Sequence, residues 1–210
     1  MKKFLFICLT IFSLSALDVL ASCPNGFSPK NVRLEIDNCF FDVILCYKCG
    51  STTEPAQVNV FSFSRVDTTP SCSTTLSFNE ILSQIYNQMY TIDELTTLCD
   101  SIPGPCETNK DLYFTCLYEI CWQKRYIDSR IWISTCNLEN CYCREVYKIC
   151  YDENLVPPRF VMTLVYGPEA SCPGYNPPIN KCPAQEVNIP DPTSENPLSD
   201  CFFYTTPCNP

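Results

Sequence analysis

Eighteen cysteines in 210 residues constrain this chain more than any other feature. Thiols at that density are oxidised to disulfides in an oxidising compartment, and they mark a disulfide scaffold. The N-terminus points the same way. Lys2 and Lys3 precede an apolar run from Phe4 to Leu17, and small residues follow, which is the layout of a secretory signal peptide. The run is shorter than the roughly 20 residues a spanning helix needs. No later stretch is long and apolar enough, so no transmembrane span is expected in the mature chain.

Two processing readings compete. Val19-Leu20-Ala21 suits cleavage before Ser22, whereas Leu20-Ala21-Ser22-Cys23 resembles a lipobox that would place a lipid anchor on Cys23. Removing Cys8 with the leader leaves 17 cysteines, and lipidating Cys23 would leave an even 16 that could all pair. Against the lipid, little tether separates Cys23 from the first expected strand. Simple secretion is therefore preferred. None of the 15 asparagines begins an Asn-x-Ser/Thr sequon, which agrees with a bacterial source. The expected location is outside the cytoplasm, secreted or in the cell envelope.

Charge and composition close off several functions. There are 14 basic and 23 acidic residues, a net charge of −9, and no histidine. Ser-His-Asp triads, Cys-His proteases and His-liganded zinc cannot be assembled from this chain alone. The field also has the wrong sign for nucleic acid.

The hydrophobic pattern is mainly that of strands. Val32, Leu34 and Ile36 alternate with Arg33, Glu35 and Asp37, and further strands are expected at Phe40–Leu45 and Gln57–Arg65. A helical region interrupts between about 77 and 100. Ser77 with Glu80 and Thr91 with Glu94 form two capping boxes, and Phe78, Ile81, Leu82, Ile85, Tyr86 and Met89 recur at helical spacing. Strands return with Leu112 to Trp122 on one parity, then Ile131–Cys136, Cys141–Tyr151 and Phe160–Tyr166. The expectation is a mainly β fold, an antiparallel meander or sandwich-like, with one or two short helices near 77–100. Residues 1–21 read as the signal, 22–166 as a disulfide-stapled β-rich domain with a helical insertion, and 167–210 as an extended segment packed on it. That last segment holds 10 of the 18 prolines and four cysteines.

Cysteine spacing limits the pairing. Cys141 and Cys143, two apart on a strand, sit about 6–7 Å apart at Cβ, too far to bridge, so they need separate partners. Cys116 and Cys121 are likewise too far apart on one strand. Cys136 and Cys141 bracket Asn137–Asn140, which reads as a turn they could bridge.

Candidate chemistry is sparse. Cys46-Tyr47-Lys48-Cys49 is a CxxC, the spacing of a thiol–disulfide redox pair, but Gly50–Pro55 reads as loop where a thioredoxin-like site opens a helix. A four-cysteine zinc site from Cys46, Cys49, Cys141 and Cys143 competes with plain disulfides, and disulfides are preferred. Trp122 and Trp132 flank Lys124–Arg130. A hairpin centred near Ile127 would set the indoles opposite each other, either as a stabilising pair or as an aromatic platform for a sugar or a protein. Lys124, Arg125, Arg130, Arg144 and Lys148 read as a solvated basic face or as a contact patch for an acidic surface. The acidic pairs Asp93-Glu94 and Asp152-Glu153 are adjacent and so diverge. No catalytic residue, cofactor or metal is assigned. The leading expectation is a non-enzymatic structural, adhesive or interaction protein with a protein or carbohydrate partner. A secreted hydrolase using carboxylates comes second and a thiol–disulfide oxidoreductase third.

Overall fold

Two short turns set the first and third hairpins. β1 (Ser28–Ile36) and β2 (Cys39–Lys48) are joined by Asp37 and Asn38, and β5 (Cys121–Ile127) and β6 (Arg130–Thr135) by Asp128 and Ser129. All four turn residues have positive φ, at 51°, 58°, 51° and 60°. Two consecutive left-handed residues make the type I′ turn, whose twist matches that of the strands it joins. The computed structural model describes residues 23–51, 54–66, 72, 74–106, 108, 112–136, 141–171, 182, 184–185 and 189–208. The expected leader and cleavage site, and the turn expected at Asn137–Asn140, lie outside these residues.

The remaining elements are β3 (Ala56–Val66), α1 (Phe78–Met89), α2 (Ile92–Leu98), β4 (Leu112–Glu119), β7 (Tyr142–Asp152), β8 (Arg159–Ser171), β9 (Ala184–Gln185) and β10 (Phe202–Phe203). Mainly β with two short helices is what the alternation predicts. All described strands join one mixed sheet, however, rather than a pure meander or a two-sheet sandwich. The sheet turns on β3. One edge of β3 pairs along its length with β2. Its other edge is divided. Ala56–Asn59 pair in parallel with Phe114–Leu117 of β4, while Ser62 and Phe63 pair antiparallel with Ser134 and Ile133 of β6. The parallel pairing follows from the helices, because a parallel neighbour needs a long crossover and α1–α2 supply one.

From that fork one wing runs β4–β7–β8 and the other β6–β5–β10–β9. The single strand expected from 112 to 122 is accordingly two. It breaks at Ile120, whose carbonyl accepts from Tyr204 N at 2.9 Å, and Trp122 Nε1 donates back to Glu119 O at 3.0 Å.

Both helix starts follow their capping signals, with one difference. Ser77 Oγ accepts from Glu80 N, and the Glu80 carboxylate accepts from Ser77 N at 2.7 Å, a complete box. Thr91 Oγ1 accepts from Glu94 N, but the Glu94 carboxylate turns away to Lys30 Nζ at 3.1 Å. α1 covers one face of the sheet with Phe78, Leu82, Ile85, Tyr86 and Met89. There Phe63, Phe78, Trp122 and Phe202 pack ring on ring, with Phe78 and Phe202 centroids 5.0 Å apart. These rings sit within the main apolar core, where burial and edge-to-face packing both stabilise the fold.

The C-terminal residues cover the open edge of β5. Tyr126 N donates to Pro197 O, Ser199 N to Lys124 O, and Phe202 and Phe203 pair with Trp122 and Cys121. Among the described residues, three disulfides hold this segment: Cys121–Cys182, Cys136–Cys201 and Cys143–Cys208. The expected Cys136–Cys141 bridge is therefore not made, because Cys136 reaches across to the tail and Cys141 lies in another disulfide. Cys141 and Cys143 do have separate partners, and Cys116 is a free, buried thiol.

Candidate functional site

Strand alternation builds a site on the face of the sheet away from the helices. On β3, Val58 and Val60 join the core, while Gln57, Asn59 and Phe61 face outward. Phe61 is the extra residue of a bulge, since Val60 pairs with Leu45 and Ser62 with Ile44. On β4, Phe114, Cys116 and Tyr118 point inward, and Thr115, Leu117 and Glu119 point outward. Tyr142, Arg144 and Val146 of β7 continue the outer face.

Because the sheet forks at β3, this face is concave and encloses a cleft of about 1110 Å³. One wall is Pro24 and Phe27, tied down by Cys23–Cys46, with Glu54 and Pro55 beside them. Thr135, Cys136 and Cys141 line it as well. The rim at β8 depends on Gly167. Its φ is +103°, and a Cβ there would lie 2.6 Å from Arg144 O. The irregular register it permits, with Arg144 against Glu169 and Val146 against Tyr166, puts Tyr166 on the rim. The Arg144 guanidinium lies over the Tyr166 ring at 5.2 Å and its Nε donates to Glu169 at 2.6 Å.

The floor carries the polar chemistry. Asn59 is only 4% exposed. Its Nδ2 donates to Glu119 Oε1 at 2.6 Å, and its Oδ1 has no hydrogen-bond partner. A buried amide oxygen left unpaired costs about 1–3 kcal/mol. Burial pushes the Glu119 carboxyl up to about 7, and the Asn59 hydrogen bond pulls the other way. At neutral pH the carboxyl thus exists in both forms, able to donate as well as accept. Unsatisfied amide, switchable carboxyl and the aromatic rings of Phe27, Phe61, Tyr142 and Tyr166 together suit a ligand with hydroxyls at its edge and an apolar face.

Compared with protein-family models, curated proteins and solved structures, the chain matches none of them.

The residues singled out from sequence lie elsewhere or do other work. Trp122 and Trp132 are not opposite each other, since Trp122 pairs with Thr135 and Trp132 with Arg125. The turn centres between Asp128 and Ser129 rather than at Ile127, and that slip puts the indoles on opposite faces. Trp122 is wholly buried and Trp132 nearly so, with Arg130 stacked on it at 5.3 Å, so neither offers an open platform.

Cys46 and Cys49 are not joined to each other. Cys46 bonds Cys23 and Cys49 bonds Cys99, because on leaving β2 the two sulfurs face different neighbours. All four cysteines weighed as zinc ligands are in disulfides. Three cations of the basic cluster are engaged within the molecule: Lys124 with Asp191, Arg130 with Asp42, and Arg144 with Glu169. Asp93-Glu94 and Asp152-Glu153 do not line the cleft. Glu119 and Asn59 went unmarked in the sequence. Their only signal was outward parity on two strands, which by itself reads as ordinary solvent exposure.

Proposed function

We propose that this is an exported, non-enzymatic binding protein that takes a neutral carbohydrate in the outer-face cleft. The observation that carries the reading is the buried Asn59 with its unpaired Oδ1, set beside Glu119 on a floor bordered by aromatic rings. Sugar hydroxyls satisfy such groups in both directions, and the apolar face of a pyranose packs on aromatic side chains. The many disulfides support export to an oxidising, extracellular setting. Among the described residues no helix is long and apolar enough to cross a membrane. Simple secretion is favoured over lipidation because a sulfur bonded to Cys46 leaves Cys23 no valence for a thioether.

The test is calorimetric titration of the oxidised protein with a panel of neutral oligosaccharides, including cello-, malto- and chito-trioses. Binding that weakens about tenfold in Asn59→Ala supports the reading. Absence of binding across the panel, or binding indifferent to Asn59, overturns it.

A second reading rests on the same carboxyl. A glutamic acid held near 7 by burial is the acid form that glycoside hydrolysis uses. It requires a second carboxylate, and Glu54 is the other described one on the cleft wall, ion-paired to Lys48 at 3.3 Å. Release of reducing ends from a bound oligosaccharide, lost in Glu119→Gln, would turn the binding protein into a hydrolase.

A further inference from the structure

We propose that a second cavity, on the helical side of the sheet, binds a small quaternary ammonium ion such as choline. It has a volume of about 510 Å³ and lies between α1, the inward faces of β4, β7 and β8, and the C-terminal residues 204–207. Glu145 and Arg144 are consecutive on β7, so this cavity and the cleft occupy opposite faces, and the two sites stand or fall separately.

The cavity contains a buried carboxyl group that no described cation pairs with. Glu145 is 7% exposed. Tyr118 OH and Tyr147 OH both donate to its Oε2, each at 2.7 Å. No described hydrogen bond reaches its Oε1, and no lysine or arginine among the described residues forms an ion pair with it. A buried carboxylate is costly unless paired, and two phenols compensate only part of that cost. Near it Thr206, 3% exposed, also lining the cavity, leaves Oγ1 without a partner.

The walls specify what kind of cation fits. Tyr86, Tyr90, Tyr118, Tyr147 and Tyr204 all line the space. Tyr86 packs against Tyr118 at 4.8 Å, against Tyr90 at 5.1 Å and against Tyr204 at 5.9 Å, forming a continuous aromatic wall. A phenol that donates its proton to a carboxylate carries more negative charge on its ring, which strengthens attraction for a cation. Aromatic walls with one carboxylate are the chemistry that recognises quaternary ammonium groups. A metal ion would need a shell of oxygen ligands instead, and no group of three or more acidic or cysteine side chains exists for one among the described residues. Met162 completes the wall with a soft, polarisable thioether. An anionic group on the ligand would be repelled by Glu145, so the fit is to choline rather than to betaine.

The experiment uses the intact oxidised protein labelled with carbon-13 at the methionine methyls. Choline is titrated in, and its uncharged isostere 3,3-dimethylbutan-1-ol serves as the control. The Met162 methyl signal is expected to move saturably with choline and not with the isostere. Met89, buried and outside the cavity, reports that the fold is unchanged. In Glu145→Gln, choline should bind at least about tenfold more weakly while Met89 stays in place. If Glu145→Gln does not fold, the wild-type comparison of choline with its isostere still decides. A Met162 signal unmoved by choline, an equal response to the isostere, or unweakened binding in a folded Glu145→Gln overturns the proposal. Co-sedimentation with phosphatidylcholine vesicles separates sources: a free solute is expected, and vesicle capture that Glu145→Gln abolishes would make the lipid headgroup the source of the same cation.

Discussion

Replacing Glu119 with glutamine should stabilise the protein above neutral pH and leave it unchanged in mild acid. In the folded chain burial raises the carboxyl from its ordinary 4.5 to about 7. Between those two values the folded state keeps a proton that the unfolded chain has released. Stability contributed by the protonated form is thus fully present below the unfolded value and is lost as pH rises through the folded one. Each pH unit in that interval is worth about 1.4 kcal/mol, an upper limit of about 3.4 kcal/mol. Glu119 is only half-buried, and solvent screening reduces the expectation to about 2 kcal/mol. Glutamine keeps the shape and the hydrogen-bonding capacity toward Asn59 without the charge. The assay is urea unfolding of both proteins, disulfides intact, from about pH 5 to about pH 8. The chain has no histidine, so the usual source of side-chain titration in this window is missing. The difference in stability should be close to zero at the acid end and should grow by about 2 kcal/mol in favour of Glu119→Gln at the alkaline end. A difference that does not vary with pH, or that grows toward acid, would refute the assignment of a desolvated carboxyl to the cleft floor.

Three other outcomes follow from local geometry. Ser129→Gly should stabilise by about 0.5–1 kcal/mol in urea unfolding, because Ser129 holds φ +60° in a two-residue turn that glycine enters without a Cβ penalty. Gly167→Ala should destabilise by about 1–3 kcal/mol and weaken oligosaccharide binding, since its Cβ would meet Arg144 O at 2.6 Å and displace the rim. Cys116 should be silent to a thiol reagent in the native protein and react once the chain is unfolded without reductant. Burial first, and the Glu145 charge second, push its thiol far above the usual range.

What could be read from the sequence was what short stretches decide alone. The Ser77–Glu80 box placed α1 within a residue, because both partners lie in one turn of helix. The separate partners of Cys141 and Cys143 followed from the distance between alternate strand residues. Readings that depended on register fared worse. Centring the β5–β6 turn near Ile127 paired Trp122 with Trp132, whereas the true centre moves each cross-strand partner by three positions and to the other face. The parallel β3–β4 pairing left a hint in the long helical insertion between two strands. That hint was passed over because short links elsewhere suggested a meander.

The candidate site was the least legible part, for a physical reason. Asn59 and Glu119 are 60 residues apart, and each occupies an outward position on its strand, where a polar side chain is the ordinary choice. Neither position carries a signature of its own. What desolvates them is the division of one edge of β3 between a parallel and an antiparallel neighbour, together with the N-terminal wall that Cys23–Cys46 holds beside them. A flat sheet would leave the same two residues in water, with an ordinary carboxylate and a hydrated amide. Their chemistry therefore belongs to the fork rather than to the strands. The sequence features that encode the fork are the α1–α2 crossover, which brings β4 alongside β3, and the break at Ile120, which sends β5 to β6.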